Sequence, residues 1–412
     1  MLKAMRKRLR SHSRMRAQSL GNGKTLLLVD QVVCSGSNAV AVLVASVFLQ
    51  TEALNAYVLL QLLATTAIGF QRSILLDPSL VVTSKSNVGI AYGRWLAAFL
   101  LTPGVALLAG SALGLWTFYW PFVFLAISFP LIQDCFRYKS FALGRYIRAL
   151  LSDGLWLLCL LIGAFVVHPT SVWEMIALWG GGAALALVPL VYRSPKRKEK
   201  VLSPALDLGK YQVTEWAVAS FTTVVPMLLV QWLVPLASVS AFRLAQTFMG
   251  PLNTITSYVS VRYLLQSSLI SRSSVGQMHR VVARTSRGLM LVAFTYGIAV
   301  VIAFYCLRNY VDPVLVDQLV YAVPVTVLAA VIASPCTPYL GLTRALSRHS
   351  STILPRIQVL GTNVLAIILG ISLWFATNLD PLVVTALITA AGSFVAYRRL
   401  FRRTIAFVSE NL

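Results

Sequence analysis

TLLLVDQVVCSGSNAVAVLVASVFL, Thr25 to Leu49, decides the class of this protein. Crossing the ~30 Å hydrocarbon layer of a bilayer takes roughly 20 apolar residues rising 1.5 Å each, and this run is long enough. It follows MLKAMRKRLRSHSRMRAQS, which carries seven Lys or Arg and looks like the basic start of a signal peptide. A cleaved signal core spans only about 7 to 15 apolar residues, and here more apolar runs follow. The segment therefore reads as an uncleaved first membrane helix, preceded by a basic arm, residues 1–24, beside anionic lipid.

The rest of the chain repeats the theme. Of 412 residues, 58% are apolar and 12% charged, a proportion that a soluble core does not need. Backbone polar groups in lipid must pair within their own segment, so long apolar runs mean helices. The roughly ten-residue alternating segments of a membrane β-barrel are absent from the sequence. Apolar runs place spans near 25–49, 54–82, 90–114, 117–135, 150–167, 171–192, 212–235, 239–266, 286–307, 315–340, 355–376 and 379–397. The expected fold class is an all-α integral membrane protein of about twelve transmembrane helices in two pseudo-symmetric six-helix lobes.

The net charge of +22 raises the question of nucleic acid, since clustered Lys and Arg release phosphate counterions. Its distribution answers for topology instead. With the amino terminus inside, nearly all of the 35 basic residues fall in cytoplasmic loops and tails, and the external connections hold only Arg308. This is the positive-inside bias, and a missed or invented span would have broken it. Both termini are expected in the cytoplasm, with no nucleic-acid partner.

The linker RSPKRKEKVLSPALDLGK, Arg193 to Lys210, divides the chain. The expected parts are the arm 1–24, an N-terminal six-helix lobe 25–192, a basic cytoplasmic linker 193–211, a C-terminal lobe 212–397 and a cytoplasmic tail 398–412. Laying Asp30 to Gln61 on Glu215 to Gln246 without a gap gives seven identities, among them Ser35 on Ser220 and Gln61 on Gln246. Two halves of one orientation imply a pseudo-two-fold axis along the membrane normal.

Ionisable groups at membrane depth are costly and are functional candidates by default. Asp30 and its counterpart Glu215 each lead a stripe of small and polar residues. They read either as cavity-facing carboxylates for a coupling proton or cation, or as interfacial acids held by a helix dipole. The eighth span repeats polar residues at three and four apart: Arg243, Gln246, Gly250, Asn253, Ser257, Ser260. The second does so with Gln61, Thr65, Gly69 and Arg72. A guanidinium fork suits phosphate, so Arg243 and Arg72 are candidate ligands for an anionic head group. The alternatives are snorkelling, or for Arg72 a pair with Asp77.

The segment Gln133 to Leu158, QDCFRYKSFALGRYIRALLSDGLWLL, reads as a basic surface helix followed by the fifth span, with Asp153 just inside it. No cofactor or metal site and no enzyme is expected. The histidines (His12, His168, His279, His349) stand in loops or tails, and no HExxH, GxSxG or Walker A pattern occurs. The five cysteines show no paired spacing.

SAFRLAQTFMGPLNTI, with RxxQxxxGPxN from Arg243 to Asn253, resembles the eighth span of polysaccharide transporters. Their superfamily also holds multidrug-and-toxin extruders, oligosaccharide-lipid flippases and the lipid II flippase. QDCFRYKSFALGRYIRALLSDGLW is similar to the fourth-to-fifth connection of O-antigen and exopolysaccharide flippases, and DQVVCSGSN, Asp30 to Asn38, resembles their first span. The resemblance implies a V-shaped pair of lobes around a cationic cavity and a polyprenyl-pyrophosphate-linked oligosaccharide as substrate. Arg243 would be the cavity cation, and Gln246, Asn253, Asn38 and Gln61 would bind sugar or phosphate. Implied partners are membrane lipids and the glycosyltransferases and polymerase of polysaccharide synthesis. Two other functions stay open: a drug or cation exporter of the same superfamily, and a non-transporting scaffold of a polysaccharide assembly system.

Overall fold

The computed structural model describes residues 2–80, 120–191, part of 209–220, 241, 244–265, 275–308, 313–345 and single positions between 357 and 399. The third, the seventh and the last two expected spans lie wholly or largely outside those residues, as does most of the linker. Among the described residues all regular structure is helical. In chain order the helices are α1 (Leu2–Phe48), α2 (Thr51–Gln71), α3 (Trp120–Ala142), α4 (Tyr146–Val167), α5 (Val172–Leu185), α6 (Gly250–Leu265), α7 (Val275–Leu307), α8 (Pro313–Ala333) and α9 (Thr337–Ala345). A π turn, Arg72–Leu76, carries α2 on to residue 80, and a 3-10 turn, Ser334–Cys336, joins α8 to α9.

Five described helical stretches are long and apolar enough to cross a membrane: Thr25–Phe48, Glu52–Leu80, Tyr146–Val167, Arg280–Cys306 and Leu319–Tyr339. Their packing is inverted relative to a water-soluble protein. On α4, Ile162 and Phe165 are 60% and 73% exposed while Ser152 and Asp153 are 0% exposed. Leu151, Leu158, Ile162 and Phe165 follow helical spacing along one face, which meets lipid, and the polar face turns inward. The chain is a multi-pass membrane protein.

α1 to α5 share one core. Ala41 and Ala45 of α1, Tyr57 and Val58 of α2, Ile127 and Leu131 of α3, Trp156 and Leu160 of α4, and Met175 and Trp179 of α5 interlock, all buried. Trp156 donates its indole N–H to the Trp179 carbonyl at 3.0 Å, so even its polar edge is satisfied inside the bundle. The α4–α5 connection is short because His168 closes α4 in the left-handed region at φ 47° and Ser171 starts α5 with a full capping box. The Glu174 amide donates to Ser171 Oγ, and the Ser171 amide donates to the Glu174 carboxylate. Ser171→Ala is expected to cost about 1 kcal/mol, read as a small drop in thermal midpoint in detergent.

The expected surface helix after the fourth span is not present. α3 continues through Ala142, and residues 143–145 form a tight turn in which the Arg145 amide donates to the Ser140 carbonyl at 2.8 Å. Gly144, at φ 69°, makes that turn possible, because a Cβ would clash in the left-handed region. The extension carries Arg137 into the interior, where it is 0% exposed. Its charge stabilises the bundle from within rather than anchoring the chain at the interface.

The two sequence halves meet along α1 and α2. Val42 of α1 packs with Ala241, Leu244, Ala245, Phe304 and Leu319, and Tyr258 of α6 packs on the cluster of Leu27, Leu75 and Leu76. Near the start of the apolar part of α1, the Trp216 ring stands edge-on to Phe70 at 5.2 Å between centroids. A Cβ on Gly69 would fall 2.6 Å from Trp216 Nε1, and one on Gly209 would strike the Ile74 carbonyl. Backbone thus lies against the opposite half at this seam.

Candidate functional site

Five charged side chains from four helices converge at that end of the first bundle. α1 contributes Asp30, the end of α2 Arg72, α3 Asp134 and Arg137, and α4 Asp153. Local geometry explains each placement. Asp134 and Arg137 are three apart and share a face of α3. Pro78 has no N–H to give the Ile74 carbonyl, and the helix widens just before it: the Asp77 amide reaches back to the Arg72 carbonyl. Proline and π bulges are recognised causes of such irregularity, and this one sits at the base of the Arg72 side chain.

Arg72 forms a fork on Asp134, Nε donating to Oδ2 at 2.8 Å and Nη2 to Oδ1 at 2.6 Å. Arg137 Nη2 donates to Asp30 Oδ2 at 2.6 Å, and its Nε lies 2.9 Å from Asp153 Oδ2. The Nη1 of Arg137 also reaches Asp134 Oδ1 at 3.5 Å. Gln133 donates to Asp153 Oδ1 at 2.6 Å and to Ser152 Oγ at 2.9 Å, and Ser152 donates onward to the Ala186 carbonyl at 2.7 Å. Phe141 and Tyr138 lie under the Arg137 and Arg72 guanidinium groups, 5.2 and 5.5 Å from ring centroid to Cζ. Buried charges are tolerated when paired and hydrogen-bonded, and this network does both.

Two features set the cluster apart from a purely structural clasp. Three carboxylates stand against two guanidinium groups within ion-pair distance, and Asp30 Oδ1, although buried, has no hydrogen-bond partner among the described residues. Exposure is also uneven. The side chains of Asp30, Asp153 and Arg137 are 0 to 1% exposed and that of Asp134 4%, whereas that of Arg72 is 31% exposed. Arg72 lies three residues beyond Gly69, on the side of α2 that meets Trp216 of the opposite half.

The interfacial reading of Asp30 is corrected. α1 begins at Leu2, so Asp30 sits deep inside a continuous helix and not at a dipole-bearing terminus. Its charge is met by Arg137. The Arg72–Asp77 pairing is likewise replaced by Arg72–Asp134. Asn38 and Gln61 come together: Gln61 Nε2 donates to the Asn38 carbonyl at 3.2 Å, and Asn38 Nδ2 to the Cys34 carbonyl at 3.2 Å. Each keeps a side-chain oxygen without a partner among the described residues. Gln246 is half-buried in the helical stretch 244–248, and Asn253 is exposed on α6. Arg243 and Glu215 lie outside the described residues. Sequence reasoning passed over Asp134 and Arg137 as cluster members. Their signal was an acid one turn ahead of an arginine in QDCFR.

No known family pattern matches the chain, and no curated protein matches it in sequence. Solved structures do resemble it. A point mutant of the Vibrio cholerae MATE transporter VcmN is 10% identical with a TM-score of 0.65, covering 96% of this chain and 97% of that one. The eukaryotic MATE transporter AtDTX14 is 12% identical with a TM-score of 0.63, covering 95% and 98%. A MOP superfamily transporter from Pyrococcus furiosus, described by a reverse polarity of its binding pocket that suggests a different function, is 13% identical with a TM-score of 0.64, covering 95% of each chain. A multi-pass helical membrane chain with these neighbours has the fold of the MATE transporters of the MOP superfamily.

Proposed function

We propose that this protein is a flippase that moves a polyprenyl-pyrophosphate-linked oligosaccharide across the cytoplasmic membrane of a bacterium, by alternating access of two six-helix lobes, for cell-surface polysaccharide synthesis. Both termini and the linker face the cytoplasm in this reading, and glycosyltransferases and a polymerase supply and consume the substrate. The observation that carries it is the sign of the exposed charge in the cluster. Arg72 is the one member of the ion cluster with appreciable exposure, while its carboxylates are buried and engaged. A carrier of organic cations needs a carboxylate open to its pathway, and an anionic pyrophosphate needs a guanidinium fork. The reverse polarity of the binding pocket described for the Pyrococcus furiosus transporter is a case of pocket polarity and function differing on this fold.

The names of the other structural neighbours favour a second reading, a drug or cation exporter. One assay separates the two. Purified protein in vesicles is given a fluorescent polyprenyl-pyrophosphate sugar or an organic cation dye, with and without Arg243→Ala. The expected result is lipid flipping by the wild type, reduced at least ~tenfold by Arg243→Ala, as loss of a charge-assisted contact worth about 1.5–3 kcal/mol implies, with no dye transport. Dye transport without flipping would establish the exporter, and wild-type flipping by the variant would remove Arg243 from the substrate site.

A further inference from the structure

We propose that the outer face of α7 is a binding site for the head group of an anionic phospholipid, held by Arg284 and Arg287 in the leaflet at the amino end of that helix. The site concerns the lipid around the protein and stands apart from the substrate it moves. It begins with one stripe. Arg280, Arg284 and Arg287 run on at three- and four-residue spacing into Leu291, Phe294, Ile298 and Ile302, and all are exposed. That spacing sets them on one side of the helix. The opposite side is committed inward: Val282 and Leu289 pack with Tyr263 of α6 and Tyr339 of α9, and Ser286 donates to the Pro335 carbonyl at 2.6 Å. The arginines therefore share the side of α7 that meets lipid and cannot turn into the bundle without breaking that packing.

The length of the stripe fixes their depth. From Arg287 to Tyr305 is about 27 Å of helix at 1.5 Å per residue, close to the ~30 Å hydrocarbon layer. Tyr305, exposed and with the Arg308 guanidinium 5.6 Å from its ring, marks one interface, where tyrosine collects. Arg287 then stands at the other boundary. Arg284 lies about 4.5 Å further out, within the head-group layer. A basic loop residue can turn to water, but these two rise from the lipid-facing side of a continuous helix, one turn from Leu291, which is 66% exposed.

Charge complementarity names the occupant. α7 has no acidic residue in its first turn, and among the described residues no carboxylate forms an ion pair with Arg284 or Arg287. Residues three apart on a helix have Cβ atoms about 5–6 Å apart, so both guanidinium groups can address one phosphate, for which their planar forks are suited. A zwitterionic head group brings its own cation beside the phosphate and gains less. The pair therefore selects an anionic lipid.

The test places the full-length protein, with its native cysteines replaced and a fluorophore on Leu291→Cys, in nanodiscs of phosphatidylcholine containing a minor fraction of phosphatidylglycerol with brominated chains. Bromine quenches at close range, so the signal reads the lipid seated at this face. With both arginines present, phosphatidylglycerol is expected to be enriched at the label over its bulk fraction, roughly fivefold for each arginine it meets. Arg284→Gln and Arg287→Gln are each expected to lower the enrichment by roughly that factor, with an unchanged thermal midpoint in pure phosphatidylcholine. Arg308→Gln, at the far end of α7, is expected to leave the enrichment as it was. Absence of enrichment overturns the proposal, as does an equal loss in Arg308→Gln, because the effect would then follow net charge and not the stripe. Farnesyl pyrophosphate that clears the brominated lipid from the label at a lower dose than unlabelled phosphatidylglycerol would give the stripe to the polyprenyl substrate class and overturn it as well.

Discussion

Arg137→Met is expected to lower stability by about 3–5 kcal/mol and to leave little folded protein in detergent. The substitution keeps most of the length of the side chain and removes the cation that Asp30 and Asp153 face from 2.6 and 2.9 Å. Both carboxylates are buried, and neither can reach water without opening the bundle. The loss comes from the stranded acids more than from the missing contact. Adding Asp30→Asn and Asp153→Asn to Arg137→Met is therefore expected to recover most of the thermal midpoint, since neutral groups need no counter-charge. Fluorescence-detected size exclusion across a temperature series reads both variants. A single variant as stable as the wild type, or a triple variant no better than the single, would show that the cluster is not what holds α1, α3 and α4 together.

The second large effect is at the seam. Gly209→Val places a Cβ on the Ile74 carbonyl, a backbone atom that cannot swing aside as a side chain would. Pro78 lies four residues beyond Ile74 and leaves that carbonyl without the usual helical donor, which makes the spot open to a close neighbour but only to one without a side chain. Overpacking of this kind costs about 1–3 kcal/mol. Applied only to the closed seam, that shifts the balance of closed and open states by ~5- to 150-fold. With the native cysteines replaced, spin labels at Leu143 and Lys210, both exposed, are expected to move apart in the valine variant, and flipping is expected to fall with the closed population. An unchanged distance distribution together with normal flipping would mean that this seam does not open during transport. The milder Gly69→Ala meets the Trp216 ring, which can rotate, so its effect is expected to be smaller.

These two residues illustrate different degrees of legibility. Asp30 and Arg72 stood out in the apolar sequence because charge at membrane depth is expensive, and Asp153 was placed just inside a span, whereas Asp134 and Arg137 drew no such notice. What the chain order hid was their partners. Arg137 reads as one more basic residue after a span until α3 is seen to continue past it, and Asp30 is 107 residues away in sequence. Gly209 carried no signal, because a glycine in a polar linker reads as flexibility until a carbonyl is found against it. Arg243, the residue on which the resemblance places most weight, awaits the flipping assay rather than geometry.

The sequence by itself determined that this is a helical membrane protein, because lipid forces every backbone hydrogen bond into its own segment and the length of each apolar run is then a local property. It also marked a polar stripe on the first, second, seventh and eighth spans, since helical periodicity is local too. Only the tertiary structure decided which inward faces meet. That choice depends on side-chain volumes and charges brought together across the bundle, and it turned Asp30, Asp134 and Asp153 with Arg72 and Arg137 from scattered costly charges into one network in which a single guanidinium, that of Arg72, is partly exposed.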